Sequence, residues 1–253
     1  MAFDLPPKLW LPPKPAIIRA ASLDDAKLAM PLLGTFAAAS VRGLKVNAAA
    51  SGITCTFIDK YNDNVDRSTY TASAVNLNYD KIIACVHMSN RAANPTSVTI
   101  NGTAATMVVG SSGGSSHNTS IWIADITPTA SGDIVVVCGA TVNRFTVGWY
   151  GATGLTSTTA TDTGSGTTAT SFSDTLTTVA GGFVIIAATP GYIASGSDTS
   201  FAGTGLVENY DQVQDDNVRA LSASAATAGT SLALTGTYTG GSYASTVAAS
   251  WGT

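Results

Sequence analysis

Charged side chains are scarce in this sequence. Lys, Arg, Asp and Glu make up 11% of the 253 residues, whereas ordinary soluble domains carry roughly 25%. Glu208 is the single glutamate. Because Glu and Lys favour helices while the abundant Thr and Val favour strands, this composition predicts an all-β protein. Its surface must then be polar mainly through hydroxyl groups and backbone.

Groups suited to catalysis are also few. His87 and His117 are the only histidines, and His87 lies in an apolar run, where a histidine is more often a core residue than a base. No strand–helix alternation is present to mount a nucleophile elbow of the G-x-S-x-G type, and the glycine-rich stretch 110–116 is not followed by the Lys-Ser/Thr and helix of a phosphate-binding loop. Glu208 and Asp211 would lie on opposite faces of a strand, which disfavours an acid–base pair. The sequence therefore predicts that the protein is not an enzyme and has no catalytic residues and no cofactor.

The cysteines are too few for a disulfide framework. Cys55, Cys85 and Cys138 form no metal-binding motif and leave one thiol over in any disulfide scheme. Cys85 and Cys138 lie in apolar runs, so we expect buried free thiols, which suit assembly in a reducing cytoplasm. No signal peptide is evident, and the apolar stretch 29–41 contains Pro31 and is too short to span a bilayer. We expect neither export by the general secretory route nor a membrane partner.

Two acidic clusters, DKYNDNVD and DQVQDDN, are weak candidates for a Ca²⁺ site. Their carboxylates are Asp59, Asp63, Asp66, Asp211, Asp215 and Asp216. Ca²⁺ prefers such oxygen ligands, but neither cluster has the glycine and terminal glutamate of an EF-hand loop. We interpret both clusters as solvated loops and predict no metal.

Prolines are concentrated at the N-terminus, where five of the nine lie within the first 15 residues. The motif Leu-Pro-Pro-Lys occurs twice, at 5–8 and 11–14. Proline fixes φ and removes a backbone donor, so this arm should be extended and should gain order only against a partner. We expect Trp10 to be its apolar anchor. The residues predicted to bind the partner are Pro6, Pro7, Lys8, Trp10, Pro12, Pro13, Lys14, Pro15 and Arg19.

Charge is unevenly distributed along the chain. Residues 1–45 carry a net charge of +3 and the remainder carries −7. A basic arm on an acidic body can dock onto an acidic surface, including that of neighbouring copies. The arm lacks the dense basic charge and interleaved aromatic residues of a nucleic-acid-binding segment, so no nucleic acid is predicted.

Beyond the arm the sequence pattern changes twice. Ser22, Asp24 and Asp25 predict the start of a short helix that Pro31 ends, which completes an N-terminal region of residues 1–52. From 53 to 253, runs of β-branched and aromatic residues alternate with turn signals at intervals of roughly 8–12 residues, which is typical of a sandwich or barrel.

This β region contains an internal echo. Stretches 120–151 and 218–252 both show a strand, a small-residue turn, an apolar strand, a second turn and an aromatic-ended strand. Two organisations fit. We favour one large jelly-roll-like antiparallel β-sandwich; the alternative is two tandem Ig-like sandwiches with halves 53–155 and 156–253. The link 156–170 is predicted as a loop or an edge strand.

Six aromatic residues could form either a sugar-stacking platform or part of the core: Trp122, Trp149, Tyr150, Tyr210, Tyr243 and Trp251. A planar exposed set would indicate a carbohydrate-binding module that contacts a host surface. That function would be abandoned if Trp122, Trp149 and Trp251 were all buried. We expect several of these rings to fill the core.

Two stretches resemble known proteins. LPPKLWLPPKPAIIRAA, followed by MPLLGTF, resembles the start of virion structural proteins of tailed bacteriophages and prophages. RFTVGWYGATGLTSTTATDTGSGTTA resembles a strand and loop of large jelly-roll sandwiches in phage particles and on bacterial surfaces. The resemblance implies a virion component, assembled in the host cytoplasm, whose arm anchors it while its sandwich faces outward.

A capsid decoration or head-fibre component fits this resemblance first. A tail or neck structural protein is the nearest alternative, and a host-adhesion module that binds a surface glycan is the next. The implied partners are other capsid or tail proteins and further copies of the same chain.

Overall fold

A computed structural model describes residues 52–89, 93–113, 116–167, 170–191, 199–215, 218–239, 241 and 243–253. Contacts divide the chain into two units, Met1–Asn47 and Ala48–Thr253. The predicted arm and the predicted short helix lie outside the described residues. All described residues belong to the second unit.

The described part of the chain is all β, as its composition predicts, and holds no helix. Its strands are β1 (Thr54–Asp63), β2 (Arg67–Leu77), β3 (Lys81–Ser89), β4 (Ser97–Ile100), β5 (Thr103–Ala104), β6 (Thr106–Gly113), β7 (His117–Asp125), β8 (Thr129–Val142), β9 (Arg144–Thr153), β10 (Asp162–Gly166), β11 (Ser171–Thr177), β12 (Phe183–Gly191), β13 (Thr199–Ala202), β14 (Val207–Asp215), β15 (Val218–Ala226), β16 (Ser231–Tyr238) and β17 (Tyr243–Trp251).

These strands form four antiparallel sheets. Strands β1 to β9 form inner sheet 1, in the order β1-β9-β3-β7-β6, and outer sheet 1, in the order β2-β8-β4-β5. Strands β10 to β17 form inner sheet 2, in the order β10-β17-β12-β15-β14, and outer sheet 2, in the order β11-β16-β13. We call β1–β9 half 1 and β10–β17 half 2, since every described sheet takes its strands from one of them.

Inner sheet 2 repeats the strand order of inner sheet 1. Strands β10, β17, β12, β15 and β14 occupy in inner sheet 2 the places of β1, β9, β3, β7 and β6 in inner sheet 1. Even an irregularity recurs: a bulge lies between Met107 and Val109 in β6 and between Glu208 and Tyr210 in β14. The echo seen in the sequence corresponds to this repeat, because its two stretches cover most of β7–β9 and of β15–β17.

Three hydrophobic cores separate the four sheets. One core lies within half 1 and another within half 2, each between an inner and an outer sheet. The third, the central core, joins the inner sheets: Ile83 and Cys85 of β3 belong to the same cluster as Ile185, Ala187 and Trp251. The second unit is therefore a stack of four layers, with the inner sheets in the middle.

This layering explains two kinds of strand sequence. Every residue of β3 and of β12 is buried, because each inner sheet is covered on both faces. Both strands are accordingly near-continuous apolar runs. Strand β2 of outer sheet 1 instead alternates, with Tyr70 and Ala72 buried and Thr69 and Thr71 exposed, because one of its faces meets solvent.

The two halves are related by an approximate twofold axis along the central strands. At one edge of the stack β14 contacts β1 and β9, and at the other β10 and β17 contact β6, so the lateral order of the second inner sheet is reversed. Lys81 in β3 and Phe183 in β12 hold the same register against β9 and β17. His87 and Thr189 are therefore equivalent positions, and they contact each other across the axis.

Candidate functional site

A buried polar cluster lies between the two inner sheets. His87 hydrogen-bonds through Nδ1 to Oγ1 of Thr189 (3.1 Å) and through Nε2 to the hydroxyl of Tyr210 (2.7 Å). Thr189 Oγ1 is also 2.7 Å from Oγ1 of Thr119, and the Thr119 hydroxyl donates to the carbonyl of Ser245 (2.8 Å). These residues come from β3, β12, β14, β7 and β17, so the cluster joins both halves.

This cluster is closed to solvent. His87, Thr189 and Thr119 are fully buried, and Tyr210 is nearly so. Burial lowers the pKa of His87 to about 3 and raises the pKa of Tyr210 well above its ordinary value. Both groups are neutral at pH 7 and neither is open to a substrate. The cluster therefore links the two inner sheets through neutral, buried groups.

A second polar link joins β9 to half 2. The hydroxyl of Tyr150 donates to Oδ1 of Asn209 (2.9 Å) and also contacts Oγ of Ser222. Oγ of Ser224 donates to the same Asn209 oxygen (2.9 Å). Burial raises the pKa of Tyr150 well above its ordinary value. Like the first cluster, this one joins the two halves through neutral groups.

The remaining nucleophile and base candidates are also held inside. His117 is buried, and burial together with the charge of Arg144 lowers its pKa to about 4. Cys85 and Cys138 are buried free thiols, as the sequence predicts, while Cys55 is partly buried. Burial raises the pKa of Cys85 to about 12, and burial likewise raises the pKa of Cys55. Cys55 and Cys85 are poor nucleophiles while they stay protonated in the fold.

The structure corrects the proposed sugar-stacking platform. Trp122, Trp149 and Trp251 are 7%, 3% and 0% exposed, and Tyr150 and Tyr210 are buried as well. Of the six aromatic candidates, Tyr243 alone is well exposed, at 49%. These rings point into cores because their strands belong to the doubly covered inner sheets. The hypothesis of a carbohydrate-binding module through these aromatics is therefore abandoned, while the expectation that several rings fill the core is confirmed.

In the first acidic cluster, the Asp63 carboxylate is hydrogen-bonded by neighbouring residues. Asp63 accepts hydrogen bonds from the N–H of Val65 (2.8 Å), the hydroxyl of Tyr61 (2.9 Å) and Nε of Arg67 (3.2 Å). Burial raises the pKa of Asp63, but these hydrogen bonds outweigh it and the net pKa is lowered. Asp63 therefore stabilises the β1–β2 turn.

In the second acidic cluster, Asp211 pairs with Arg219 (2.7 Å) and accepts from Thr199 (3.1 Å). The side chains of Asp215 and Asp216 lie outside the described residues. Within the described ranges, no group of three or more His, Cys, Asp or Glu side chains is placed to hold a metal ion.

An open cleft of about 500 Å³ lies between β1 and β2, at one edge of half 1. It forms where β1 bulges after Phe57 and where β2 loses register between Ala72 and Val75. Ala74, at that irregularity, has a φ of 58°. A left-handed backbone at a residue with a Cβ costs roughly 1–2 kcal/mol, and a hydrogen bond from the Ala74 N–H to Asp133 Oδ1 (3.2 Å) helps to hold it.

The cleft combines apolar walls with a polar rim. Tyr61 and Trp149 contribute to its lining, and the exposed side chains of Asp59, Ser73 and Asn76 border it. The indole N–H of Trp149 is buried and makes no hydrogen bond within the described structure. An open cleft with this mixed lining suits contact with an extended chain, and it is the candidate binding site of the second unit.

Comparison with known proteins gives no match: no family model, no curated protein and no solved structure matches this chain. Within the described ranges no helix is long and apolar enough to cross a membrane. The partner-binding residues predicted in the arm, Pro6 to Arg19, lie outside the described residues.

Proposed function

We propose that the protein is a non-enzymatic structural component of a tailed bacteriophage or prophage particle, anchored through its N-terminal arm. A capsid decoration or head-fibre role fits best. The observation that carries this proposal is the joining of a proline-rich arm, whose backbone groups need a partner, to a four-layered β body in which both histidines, Tyr150 and Tyr210 are buried.

We further propose that each half is a jelly roll. In half 1 the orders β1-β9-β3-β7 and β2-β8-β4-β5 are those of an eight-strand, two-sheet jelly roll with β6 as an additional edge segment. Half 2 follows the same path in its inner sheet, where β14 takes the place of β6, and its described outer sheet has three strands, β11-β16-β13. Viral capsid domains are among the proteins that use this architecture, which supports the virion role.

Composition supports the same role. A body with few charges and a hydroxyl-rich surface can pack repeatedly without burying unpaired ions, and the cleft between β1 and β2 offers a contact surface for a neighbouring chain. The basic arm and the acidic remainder are complementary in charge. A particle assembled in the host cytoplasm would keep the three thiols reduced.

The first test is deletion of residues 1–19. We expect a folded β body that no longer joins the particle, because the docking prolines and Trp10 are gone. Incorporation is measured by immunoblotting of gradient-purified particles from a lysate. The control is a full-length chain with Asp24→Asn and Asp25→Asn, which changes the N-terminal region outside the docking segment. Full incorporation of the deleted chain would contradict the proposal.

Immunogold electron microscopy with an antibody against residues 53–253 locates the protein. Label distributed over heads indicates decoration, and label at one end of the particle indicates a neck or tail protein. Absence of label from every particle, with the protein free in the lysate, would overturn the virion role.

A further inference from the structure

The turn between β4 and β5 holds the one Asn–Gly pair of the sequence. Asn101 and Gly102 form this two-residue turn, between the paired residues Ile100 and Thr103. Their φ angles are 49° and 77°, and positive φ at both positions is the mark of a type I′ turn. Both turn residues are exposed, and so are the two residues of β5. Because so short and exposed a strand closes the turn, local opening there costs little free energy.

The backbone nitrogen of Gly102 and the side-chain amide of Asn101 are unrestrained in the described part of the chain. The N–H of Gly102 makes no hydrogen bond there, and neither does the Asn101 amide. A Cβ built on Gly102 would meet no atom within 4 Å. Since glycine has no Cβ of its own, its nitrogen can approach Cγ of Asn101 closely, and water reaches both atoms.

Asn78 offers a comparison within the same chain. Its side chain is exposed as well, but the residue that follows it is Tyr79, which has a bulky side chain. The N–H of Tyr79 donates to the carbonyl of Leu77 (2.9 Å). The two exposed asparagines therefore differ in the freedom of the backbone nitrogen that follows each of them.

We propose that Asn101 is a site of spontaneous deamidation in the folded protein. The nitrogen of Gly102 gives its proton to water and forms a bond to Cγ of Asn101, and the bond from Cγ to Nδ2 breaks as ammonia leaves. Water then opens the cyclic imide at either of its two carbonyl groups, and the product is aspartate or isoaspartate. No oxidant or reductant takes part. This modification site goes beyond the virion role and does not depend on it.

The modification adds negative charge next to Asp133. Asn101 follows the last β4 residue that pairs with β8, and its N–H donates to the carbonyl of Asp133 (2.8 Å). A Cβ built on Gly132 would lie 2.8 Å from Asn101 Oδ1, so the Asn101 side chain lies over β8. Like charges opposite each other on neighbouring strands are destabilising. Asp133 also accepts the hydrogen bond of Ala74 at the β1–β2 cleft, so deamidation places a second carboxylate beside a group that shapes this cleft.

The experiment follows the freshly purified full-length chain during incubation at mildly alkaline pH in water enriched in heavy oxygen. Peptide mass spectrometry measures the loss of the amide at each asparagine, and electron-transfer fragmentation separates isoaspartate from aspartate. We expect Asn101 to lose its amide at least about tenfold faster than Asn78, because glycine allows the close approach of the backbone. Isoaspartate should form at position 101, since opening of the imide yields it and direct hydrolysis does not.

Two variants serve as controls. Asn101→Gly removes the amide while Gly–Gly still suits a type I′ turn, so no heavy oxygen should enter at position 101. Gly102→Asn adds a Cβ with a residue that tolerates positive φ, and it should slow the loss of the amide at Asn101.

Equal rates at Asn101 and Asn78 in the folded chain would overturn the proposal. A reaction at Asn101 that occurs only after unfolding in urea would overturn it too, as would aspartate formed without isoaspartate. The readout is a mass change in the purified chain, so its outcome is separate from incorporation into particles, which tests the virion role.

Discussion

The two halves share a strand order but fill it with different side chains. Strand β9 pairs with β3 through Gly148, Trp149 and Tyr150. At the equivalent positions, β17 pairs with β12 through Val247, Ala248 and Ala249. Farther along, half 1 has Ala152 where half 2 has Trp251. Because the sheet order is the same despite these changes, the fold is specified by the pattern of strands and turns. The volumes of individual side chains differ between the halves and are balanced by their neighbours in adjacent sheets.

Volume is exchanged across the central core as well. Gly148 leaves space that the ring of Tyr210 occupies: a Cβ at that glycine would lie 2.3 Å from Tyr210 Cε1. Tyr210 in turn reaches His87 of the other half. Small residues in one half thus allow large residues of the other to cross the interface, and the two halves are complementary and not interchangeable.

The largest loss of stability is expected when Trp251 of half 2 is replaced by alanine, the residue that half 1 has at the equivalent position, Ala152. Trp251 is fully buried and stacks on Phe183 with ring centroids 5.2 Å apart. Trp251→Ala should lower the free energy of unfolding in urea by about 3–5 kcal/mol, since truncation of a buried aromatic leaves a cavity. The control Tyr243→Ala removes an exposed aromatic and should change stability by less than about 0.5 kcal/mol. If Trp251→Ala and Tyr243→Ala lowered the free energy of unfolding by similar amounts, the buried Trp251 would contribute no more to stability than an exposed aromatic residue.

The reverse exchange should have the next largest effect. Gly148→Val places the half 2 residue in half 1 and forces its side chain against Tyr210. Overpacking of this kind costs about 1–3 kcal/mol, and we expect that loss in urea unfolding. Gly229→Ala is the control, because a Cβ there meets no atom within 4 Å. Stability equal to that of the unchanged protein would mean that Tyr210 moves aside freely.

Several features of the fold were predictable from the sequence. Scarce Glu and Lys with abundant Thr and Val indicate the all-β class, and apolar surroundings indicate buried thiols at Cys85 and Cys138. The link 156–170 was predicted as a loop or edge strand, and β10, at its centre, is an edge strand. The very short β5 and β13 were not predicted, because strands of two and four residues carry too little pattern.

The site was less predictable, because it depends on contacts distant in sequence. Alternation along β9 places Trp149 and Tyr150 on opposite faces, but only the layering shows that neither face meets solvent. The partners of His87 lie 102 and 123 positions away along the chain, at Thr189 and Tyr210. An apolar run around a histidine indicates burial; it does not indicate which hydroxyl groups satisfy the ring.

The last exchange concerns His87 and its twofold equivalent Thr189. Burial lowers the pKa of His87 to about 3 in the folded chain. A histidine in the unfolded chain keeps its ordinary pKa of about 6.5. Between these two pKa values, His87 binds a proton in the unfolded state but stays neutral in the folded state. This histidine should therefore destabilise the fold as pH falls from 6.5 towards 3, by up to about 1.4 kcal/mol per pH unit.

His87→Thr gives half 1 the residue of half 2 and removes this titration. At pH 7 the variant should be less stable, because Tyr210 loses a buried hydrogen-bond partner at a cost of about 1–3 kcal/mol. As pH is lowered, the difference from the unchanged chain should shrink, as measured by urea unfolding between pH 7 and pH 4.5. Met88→Leu, a buried substitution that does not titrate, should shift stability equally at every pH. If the difference in free energy of unfolding between His87→Thr and the unchanged chain stayed constant with pH, His87 would be protonated equally in the folded and unfolded states. Its hydrogen bonds to Thr189 and Tyr210 would then join a charged ring to two hydroxyl groups.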